Sequence, residues 1–472
     1  MRAVSTIVCL AIALTACGNG SSADQLVSIH IEPSNSNVVS GYTTQFSAIG
    51  IYSSGVQRDF TATAIWSSTN TGIATVGNFG SDRGLVTPVA LGAVRILATS
   101  DSITGQTTVT VVERKELVYI QTDNGIEQYS IAENGSLRAL SLAVVSGTFE
   151  TPVTHPSGHY LYALTLGPGA SSTVYSRTIA QFNITVDGTL RPMTPATVDS
   201  LQPCCGETVS LFGVDPQGHN LYEDWSGEPG DWPSGGRYGI DANGALTLPA
   251  DYSVPDIVGI DASGSRALGI DFGSIGSGSI TVSAAAADGT FPYGGIAATY
   301  NHRIGGVALH PSGQYFYLCL ADGGLQSLAE YVIVDNGLQV SLPPSFSLPL
   351  DSYGASCVGL SNAMVLHPSG KFAYLLWTHT IDGILADSVA VFSLDSQGRP
   401  AFLSASPVSF AMTVPLLTYT SLWVDPKGFL LCVLGPPNLV YEFTIAADGT
   451  LTPVPGSPIT VGANPRSISF AR

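Results

Sequence analysis

One short segment carries residue types that recognise sugars. Residues 223–232 contain two tryptophans, Trp225 and Trp232, and four acids that include Asp224 and Asp231. A tryptophan ring can stack on a sugar ring while carboxylates accept hydrogen bonds from its hydroxyls. The same acids offer the oxygen ligands that Ca²⁺ requires, but their spacing matches no EF-hand loop. The structural alternative is that both tryptophans pack this segment onto a neighbouring part of the fold.

The composition favours an all-β protein. The 472 residues include 52 Gly and 29 Pro, and only 11% are charged. Gly, Ser, Thr and Val are typical of short strands joined by many turns, whereas a helical bundle needs far more Ala, Glu, Lys and Leu. The net charge of −18 excludes a nucleic-acid partner, because no basic stripe exists to contact phosphates. No phosphate-binding glycine loop, Cys-x-x-Cys or Gly-x-Ser-x-Gly is present, and we expect no cofactor and no metal.

Two short motifs recur along residues 117–472 and predict seven four-stranded units. The first is Pro or Ala, any residue, then Gly, as in His155-Pro156-Ser157-Gly158, and it occurs six times. The second is a polar residue and Gly, and it occurs seven times, at Gly135, Gly188, Gly244, Gly289, Gly337, Gly398 and Gly449. If each motif is a hairpin turn, each unit is a propeller blade, and the first blade lacks one strand. The segment 464–470 can supply that strand by pairing beside Val118, which closes the ring and removes its exposed edges.

This connectivity divides the ring into two faces. Both motifs join strands one and two, or three and four, so they lie together on one short and regular face, which we assign to structure. The other face carries long irregular stretches, which include 225–237 and 377–387. Trp377 and His379 therefore lie on a predicted loop of the same face as Trp225. Uneven loops on a rigid scaffold are the usual place for ligand binding.

The repeat resembles the YVTN-type, lactonase-like propellers. The resemblance rests on His-Pro-Ser-Gly followed by Tyr-x-Tyr, as in Tyr160-Leu161-Tyr162, and on strands that end in Asp-Gly-Thr-Leu. In relatives that are enzymes, a His, an acid and arginines at the channel mouth stabilise the charge of lactone ring opening. The residues that precede or begin the inner strands here supply candidates for these roles. They are His302, Arg303, Glu207, Asp256 and Arg466, with Glu207 or Asp256 as a general base.

The cysteines allow few disulfides. Cys204 and Cys205 are adjacent and could form a vicinal disulfide in an oxidising compartment, with Cys357 as a competing partner. Cys319 and Cys432 lie in apolar strands, where a buried thiol is common, and we expect both to be free.

Residues 26–112 alternate apolar and polar positions in about seven short strands and predict an immunoglobulin-type sandwich. Ile29-His30-Ile31-Glu32-Pro33 and Ile65-Trp66-Ser67-Ser68 resemble the bacterial Ig-like group 2 domain, which implies a spacer or adhesion module. His30 lies between two core isoleucines and is expected on the surface. Trp66 is expected to pack without a disulfide.

The first residues have the features of an export signal. Residues 1–16 contain one Arg and a short apolar run, and Leu14-Thr15-Ala16-Cys17 resembles the lipobox of bacterial lipoproteins. The resemblance implies cleavage before Cys17 and acylation of its thiol, and residues 17–25 would form a flexible tether. The alternative is an ordinary signal peptide with an incidental cysteine.

The sequence thus predicts an Ig-like sandwich followed by a seven-bladed propeller in a lipoprotein of the bacterial cell envelope, outer-membrane-anchored and either periplasmic or surface-exposed. The leading hypothesis is a tethered module that binds a protein or carbohydrate through its irregular face. A lactone hydrolase at the channel mouth and a purely structural envelope protein are the two alternatives.

Overall fold

The protein is described by a computed structural model with two compact units, Met1–Arg114 and Lys115–Arg472. The residues that the structure describes are 24–166, 177–200, 208–226, 235–251, 257–271, 278–286, 291, 296–300, 303–322, 325–334, 337–340, 346–347, 363–381, 384–403, 408–410, 421–435 and 437–472. Strands dominate this part of the chain. Within these ranges, no helix has the length and hydropathy that a membrane span needs.

The first unit is a β-sandwich. Its elements are β1 (Leu26–Glu32), β2 (Ser36–Val39), β3 (Thr44–Gln45), β4 (Ser47–Tyr52), β5 (Gln57–Asp59), β6 (Ile65–Ser68), β7 (Ala74–Val76), a 3-10 turn (Gly80–Asp82), β8 (Leu85–Pro88), β9 (Gly92–Ser100) and β10 (Ile103–Val112). They form sheets of order β1-β4-β5, β2-β10-β9-β6 and β3-β8-β7. Period-two alternation buries Ile29 and Ile31 and leaves His30 exposed, as predicted. Trp66 is 3% exposed in this core, and its indole N–H donates to the Thr61 carbonyl at 3.0 Å.

The second unit begins with the strands of four blades. These are β11 (Leu117–Thr122), β12 (Gly125–Ile131), β13 (Leu137–Ser146), β14 (Phe149–Thr154), β15 (Tyr160–Leu166), β16 (Arg177–Ile184), β17 (Leu190–Asp199), β18 (Thr208–Val214), β19 (Asn220–Ser226), β20 (Gly235–Ile240), β21 (Leu246–Asp251), β22 (Ile257–Ile260), β23 (Arg266–Asp271), β24 (Gly278–Ala284) and β25 (Ile296–Tyr300).

The remaining blades follow in the same pattern, and in each of them the outer position is divided between two short strands. Their strands are β26 (Arg303–Leu309), β27 (Tyr315–Asp322), β28 (Leu325–Val334), β29 (Gly337–Val340), β30 (Phe346–Ser347), β31 (Met364–Leu366), β32 (Phe372–Ile381), β33 (Ile384–Leu394), β34 (Pro400–Phe402), β35 (Val408–Phe410), β36 (Leu422–Val424), β37 (Leu430–Gly435), β38 (Leu439–Ile445), β39 (Leu451–Pro453), β40 (Ile459–Thr460) and β41 (Ser467–Ala471).

The described strands of this unit form seven antiparallel sheets, which are the seven predicted blades. Blades 2 to 7 are consecutive along the chain, from β14-β15-β16-β17 to β36-β37-β38-β39. Blade 1 has the order β13-β12-β11-β41, so its inner strand comes from the C-terminal end. Val118 pairs with Phe470 and Ile120 with Ile468. The prediction that the two terminal segments pair and close the ring is confirmed.

Both sequence motifs are turns that also connect neighbouring blades. The His155 ring bonds through Nε2 to the Gly218 carbonyl of the next blade at 2.9 Å, and His310 and His367 repeat this bond at the same distance. In blades 3, 4 and 7 Asp replaces His and instead accepts amides of its own turn, as Asp425 does from Phe429. The repeat histidines therefore hold adjacent blades together, which is a structural role.

A second set of bonds joins the blades through buried polar side chains. In blade 1, the Gln128 amide donates to the Leu142 carbonyl at 2.7 Å and its oxygen accepts the Leu190 amide of blade 2, also at 2.7 Å. Gln181 repeats both contacts one blade later, to Pro195 and Leu246. In blade 7 the same position is Glu442, whose Oε1 accepts the Leu137 amide of blade 1 at 2.8 Å. A polar clamp thus crosses these blade junctions, including the closing one.

The two described strand cysteines differ. Cys432 is free and fully buried, as predicted, and burial raises the pKa of its thiol well above the ordinary value. Cys319 is disulfide-bonded, so the expectation of a free thiol there was wrong. A fully buried position in an apolar strand is compatible with either state, and the sequence could not distinguish them. Cys17, Cys204, Cys205 and Cys357 lie outside the described residues.

Candidate functional site

The propeller has two chemically different faces. We call the side that carries the regularly spaced hairpin turns, such as 155–158 and 185–188, the turn face. The opposite side, where each inner strand begins and strands two and three of each blade connect, is the loop face. Since the inner strands surround the channel, their first residues form its mouth on the loop face.

The inner strands of several blades are irregular. In blades 2 to 5 an extra residue interrupts the pairing of strand one with strand two, as between Glu150 and Val153 or between Ile304 and Gly306. Such a bulge bends the strand and changes the direction in which the adjacent side chains point. In β14 it places Thr151 at φ +44°, and the Thr151 amide donates to Gln121 Oε1 at 3.1 Å. The inner strands of four successive blades are therefore bent by the same kind of irregularity.

The predicted catalytic set is only partly described. Arg303 is the first residue of β26 and pairs with Ala321, which places its backbone at the channel mouth. Glu207 and Asp256 directly precede β18 and β22 in the sequence, and His302 directly precedes β26, but all three lie outside the described residues. The described residues contain no group of three or more His, Cys, Asp or Glu that could hold a metal ion.

Arg466 takes part in the closure of the ring. Its Nη2 lies 2.8 Å from Asp123 Oδ1 in an exposed ion pair, with Arg466 46% and Asp123 39% exposed. Asn464 Nδ2 donates to the other oxygen of Asp123 at 2.6 Å. The turn between β11 and β12 is thereby bonded to the segment that precedes β41. Arg466 thus directly precedes the inner strand β41, and its guanidinium is paired with the Asp123 carboxylate.

Glu150 and Arg177 form a charged pair that the sequence analysis missed. Glu150 is the second residue of the inner strand β14, and Arg177 is the first residue of β16. Arg177 Nη1 donates to Glu150 Oε2, and Arg177 is the more buried partner at 15% exposure. The signal was available, because Glu150 lies where an inner strand begins, as Glu207 and Asp256 do.

Blade 6 carries a long hairpin on the loop face. β32 and β33 pair over ten residue pairs, from Phe372 with Ser393 to Ile381 with Ile384, whereas the same strands of blade 7 pair over six. At about 3.3 Å per residue, four more pairs extend the hairpin about 13 Å further. β35 pairs with residues 387–389 of β33, where the extension begins. A regular hairpin therefore replaces the loop predicted at 377–387.

The predicted ligand-binding aromatics occupy strands. Trp377 pairs with Ser388 and His379 with Ala386, so both are in β32 and the prediction of a loop there was wrong. Trp225 and Asp224 are in β19 and pair with Val209 and Ser210 of the inner strand, so the irregular stretch begins later than expected. Asp231 and Trp232 lie outside the described residues.

Glu223, one of the four acids in the 223–232 segment, has a structural role. It is 1% exposed, and its Oε2 accepts the Tyr238 hydroxyl at 2.8 Å. Ser200 donates to its other oxygen. Both partners come from distant positions in the chain, so these bonds could not be derived from the sequence. Glu223 is therefore unavailable to a ligand or Ca²⁺.

Comparison with known proteins identifies the first unit. Residues 26–111 match the family Bacterial Ig-like domain (group 2). This unit is a bacterial Ig-like domain. Ice-binding protein 1 of Shewanella frigidimarina is 43% identical to the chain over 86 residues, which are 18% of this chain. The chain spans only 9% of the length of that relative, so the likeness concerns this one domain.

Comparison with solved structures identifies the fold of the second unit. A proposed 6-phosphogluconolactonase of Bacteroides fragilis superposes with a TM-score of 0.52 at 18% identity, covering 76% of this chain and 98% of its own. The periplasmic gluconolactonase PpgL of Pseudomonas aeruginosa gives a TM-score of 0.52 at 16% identity, covering 76% and 99%. At this identity the likeness shows the lactonase-like propeller fold.

Proposed function

We propose that the protein is an exported bacterial envelope protein, anchored by a lipid on Cys17, whose propeller binds a protein or carbohydrate partner through its loop face. The bacterial Ig-like domain supports this placement, because such domains serve as spacers in proteins of the bacterial surface. The closed ring supports the binding role, because a propeller tied at both termini is a rigid platform for recognition elements.

The observation that carries the proposal is the blade 6 hairpin. β32 and β33 form ten residue pairs in this hairpin, whereas the same strands of blade 7 form six. The extension contains Trp377, His379, Ile381, Ile384 and Leu385, a composition enriched in aromatic and aliphatic residues. Tryptophan is enriched among the residues that carry most of the binding energy of protein interfaces, and free strand edges pair with incoming strands.

The test removes the extension and retains the blade. A variant in which residues 378–387 are replaced by Asn-Gly keeps the Trp377–Ser388 pair as the last of the hairpin and supplies a two-residue turn. We expect its thermal unfolding midpoint to stay close to that of the wild type, whereas binding to bacterial cells that lack the protein is lost. Trp377→Ala is expected to weaken the same binding more than tenfold. Cell binding that survives in both variants would contradict the proposal.

A lactone hydrolase is the second candidate, and the position of Arg303 favours it. This arginine begins the inner strand of blade 5 at the channel mouth, and the fold is shared with two proteins named as gluconolactonases. Incubation with glucono-δ-lactone and 6-phosphogluconolactone, followed by pH-stat titration, separates the two candidates. Hydrolysis above the spontaneous rate that disappears in Arg303→Ala would favour the enzyme, and a rate equal to the buffer control would leave the binding protein.

A further inference from the structure

A pocket of about 430 Å³ lies on the turn face, between blades 2 and 3. This is the face that the sequence analysis assigned to structure alone. The volume is within the range of roughly 300–1,000 Å³ that small-molecule sites occupy. The residues that line it include Tyr160, Asn183, Met193, Thr194, Asp241 and Asn243.

The outer strand of blade 2 is irregular beside the pocket. Ala180 of β16 pairs with Thr197 and Phe182 pairs with Pro192, so residues 193–196 of β17 bulge out of the ladder. Met193 and Thr194 lie in this bulge and form one wall, and the turn between β20 and β21 of blade 3 forms the other. Two inter-blade bonds fix the distance between the walls. The Tyr162 hydroxyl donates to the Gly244 carbonyl at 2.7 Å, and the Leu246 amide donates to Gln181 at 2.6 Å.

The polar side chains of the pocket have hydrogen-bonding groups that no other described residue of the protein occupies. Asp241 Oδ1 accepts the amides of Asn243 and Ala245, each at 2.8 Å, which orients the carboxylate and leaves Oδ2 without a partner among the described residues. Four further groups of the lining likewise have no hydrogen-bond partner within that part of the chain. They are the hydroxyls of Tyr160 and Thr194 and the side-chain amides of Asn183 and Asn243.

The lining also contains apolar surface. Met193 is 9% exposed, and the half-buried ring of Tyr160 packs over Gly244, where an added Cβ would lie 2.4 Å from the ring. Burial, followed by the nearby Asp241 carboxylate, raises the pKa of Tyr160, so its phenol remains a donor at neutral pH. The named lining residues include no Lys or Arg. Planar amides, a carboxylate and a ring beside apolar surface suit a ligand with many hydroxyls and no negative charge.

The corresponding junction between blades 5 and 6 has the same framework but differs at two of the lining positions. Asp395 Oδ1 accepts the amides of Gln397 and Arg399, as Asp241 does for its own turn, and Tyr315 packs over Gly398. However, Arg399 occupies the position of the small Ala245, and Val332 occupies that of Asn183. The junction between blades 5 and 6 is therefore a natural control for the pocket.

We propose that the pocket between blades 2 and 3 binds a neutral mono- or disaccharide, with Asp241, Asn183 and Asn243 bonded to its hydroxyls. The pocket lies on the turn face, so it is separate from the loop-face binding proposed above. It would give the protein a carbohydrate contact that is independent of the blade 6 hairpin.

The test titrates the full chain with maltose, cellobiose, lactose and chitobiose, by saturation-transfer difference NMR and then by calorimetry. We expect at least one of the four to bind. Tyr160→Phe removes only the hydroxyl and should weaken that binding about fivefold, and Asp241→Asn, which keeps the turn acceptor, should weaken it about tenfold. Tyr315→Phe and Asp395→Asn are the matched controls and should leave it unchanged.

The outcomes separate this proposal from that for the loop face. If none of the four sugars binds, or if Tyr160→Phe and Asp241→Asn bind as the wild type does, the proposal is wrong. It is also wrong if the two control variants lose as much affinity. Phe372 occupies the position of Tyr160 in blade 6, so Tyr160→Phe is compatible with folding and decides the outcome even if Asp241→Asn does not fold. The variant with the shortened hairpin should retain sugar binding.

Discussion

Glu442→Gln is expected to stabilise the propeller at neutral pH. Glu442 is 1% exposed in the junction that closes the ring, where its Oε1 accepts the Leu137 amide and its Oε2 has no hydrogen-bond partner among the described residues. Glutamine stands at the same position in blades 1 and 2, where its amide donates to a carbonyl of the outer strand. The amide would keep the acceptor for Leu137 and remove the buried charge.

The magnitude follows from the unpaired oxygen. A buried acceptor without a donor costs about 1–3 kcal/mol, and more when it is charged, so we expect a gain of about 2 kcal/mol at pH 7.5. For a unit of this size the entropy of unfolding is about 0.75 kcal/mol/K, and the gain corresponds to about 3 °C in the unfolding midpoint. Urea unfolding followed by tryptophan fluorescence measures the free energy directly.

The pH dependence provides a second, independent readout. Burial raises the pKa of Glu442 above its ordinary value of 4.5, against the opposing effect of the Leu137 amide. The native state therefore retains this proton to a higher pH than the unfolded chain does. The corresponding stability is fully present below the unfolded pKa and is lost as the pH rises through the native pKa. Wild type and Glu442→Gln should thus converge at about pH 4 and diverge above it.

Gln181→Glu is the reverse of Glu442→Gln at the same position of blade 2. It replaces one of the two buried glutamines by a glutamate. We expect it to destabilise the protein by a similar amount at pH 7.5, with the loss disappearing at about pH 4. The reasoning is refuted if Glu442→Gln is less stable than the wild type at pH 7.5. A stability difference that is the same at both pH values would also refute it, because the effect would then not come from the ionised carboxylate.

Three further changes test the contacts between blades. Tyr317→Phe removes a hydroxyl that donates to the buried Gly398 carbonyl at 2.6 Å, and urea unfolding should show a loss of about 1–3 kcal/mol, whereas Tyr315→Phe should show none. Gly244→Ala places a methyl group against the Tyr160 ring at a position with φ +79°. Its unfolding midpoint should fall well below that of the control Gly55→Ala, where the added Cβ meets no atom within 4 Å. Deleting residues 467–472 exposes the β11 edge, and light scattering should show aggregation. A monomer with native stability would contradict the role of β41.

The repeat made the fold predictable from sequence. Turn glycines recur at fixed places, and Gly158 and Gly188 have the positive φ values, +70° and +91°, that such turns require. The unequal counts of the two motifs predicted that a strand from the C-terminal end completes blade 1, and Ile468 pairs with Ile120 there. The local turn residues and the number of turns are sufficient to predict this ring closure.

The candidate site was less predictable because its features depend on long-range contacts. Nothing local indicates that Glu223 bonds Tyr238 or that Arg466 bonds Asp123, since each pair joins segments that only the fold brings together. The blade 6 hairpin could have been recognised. Ile381 and Ile384 flank an Asp-Gly pair, which is a strong hairpin signal that the loop interpretation overlooked.

The propeller can complete its fold only after the closing strand β41 has been synthesised. Ser467 donates to Gln121 across 346 residues of sequence, and every other blade lies between these two. During synthesis the first blade therefore remains incomplete, with one edge uncovered, until the last residues of the chain have been added. Throughout that interval the uncovered edge of β11 can pair with strands of other chains. A slow codon near β41 would consequently affect the yield of the protein far more than the same delay within an internal blade.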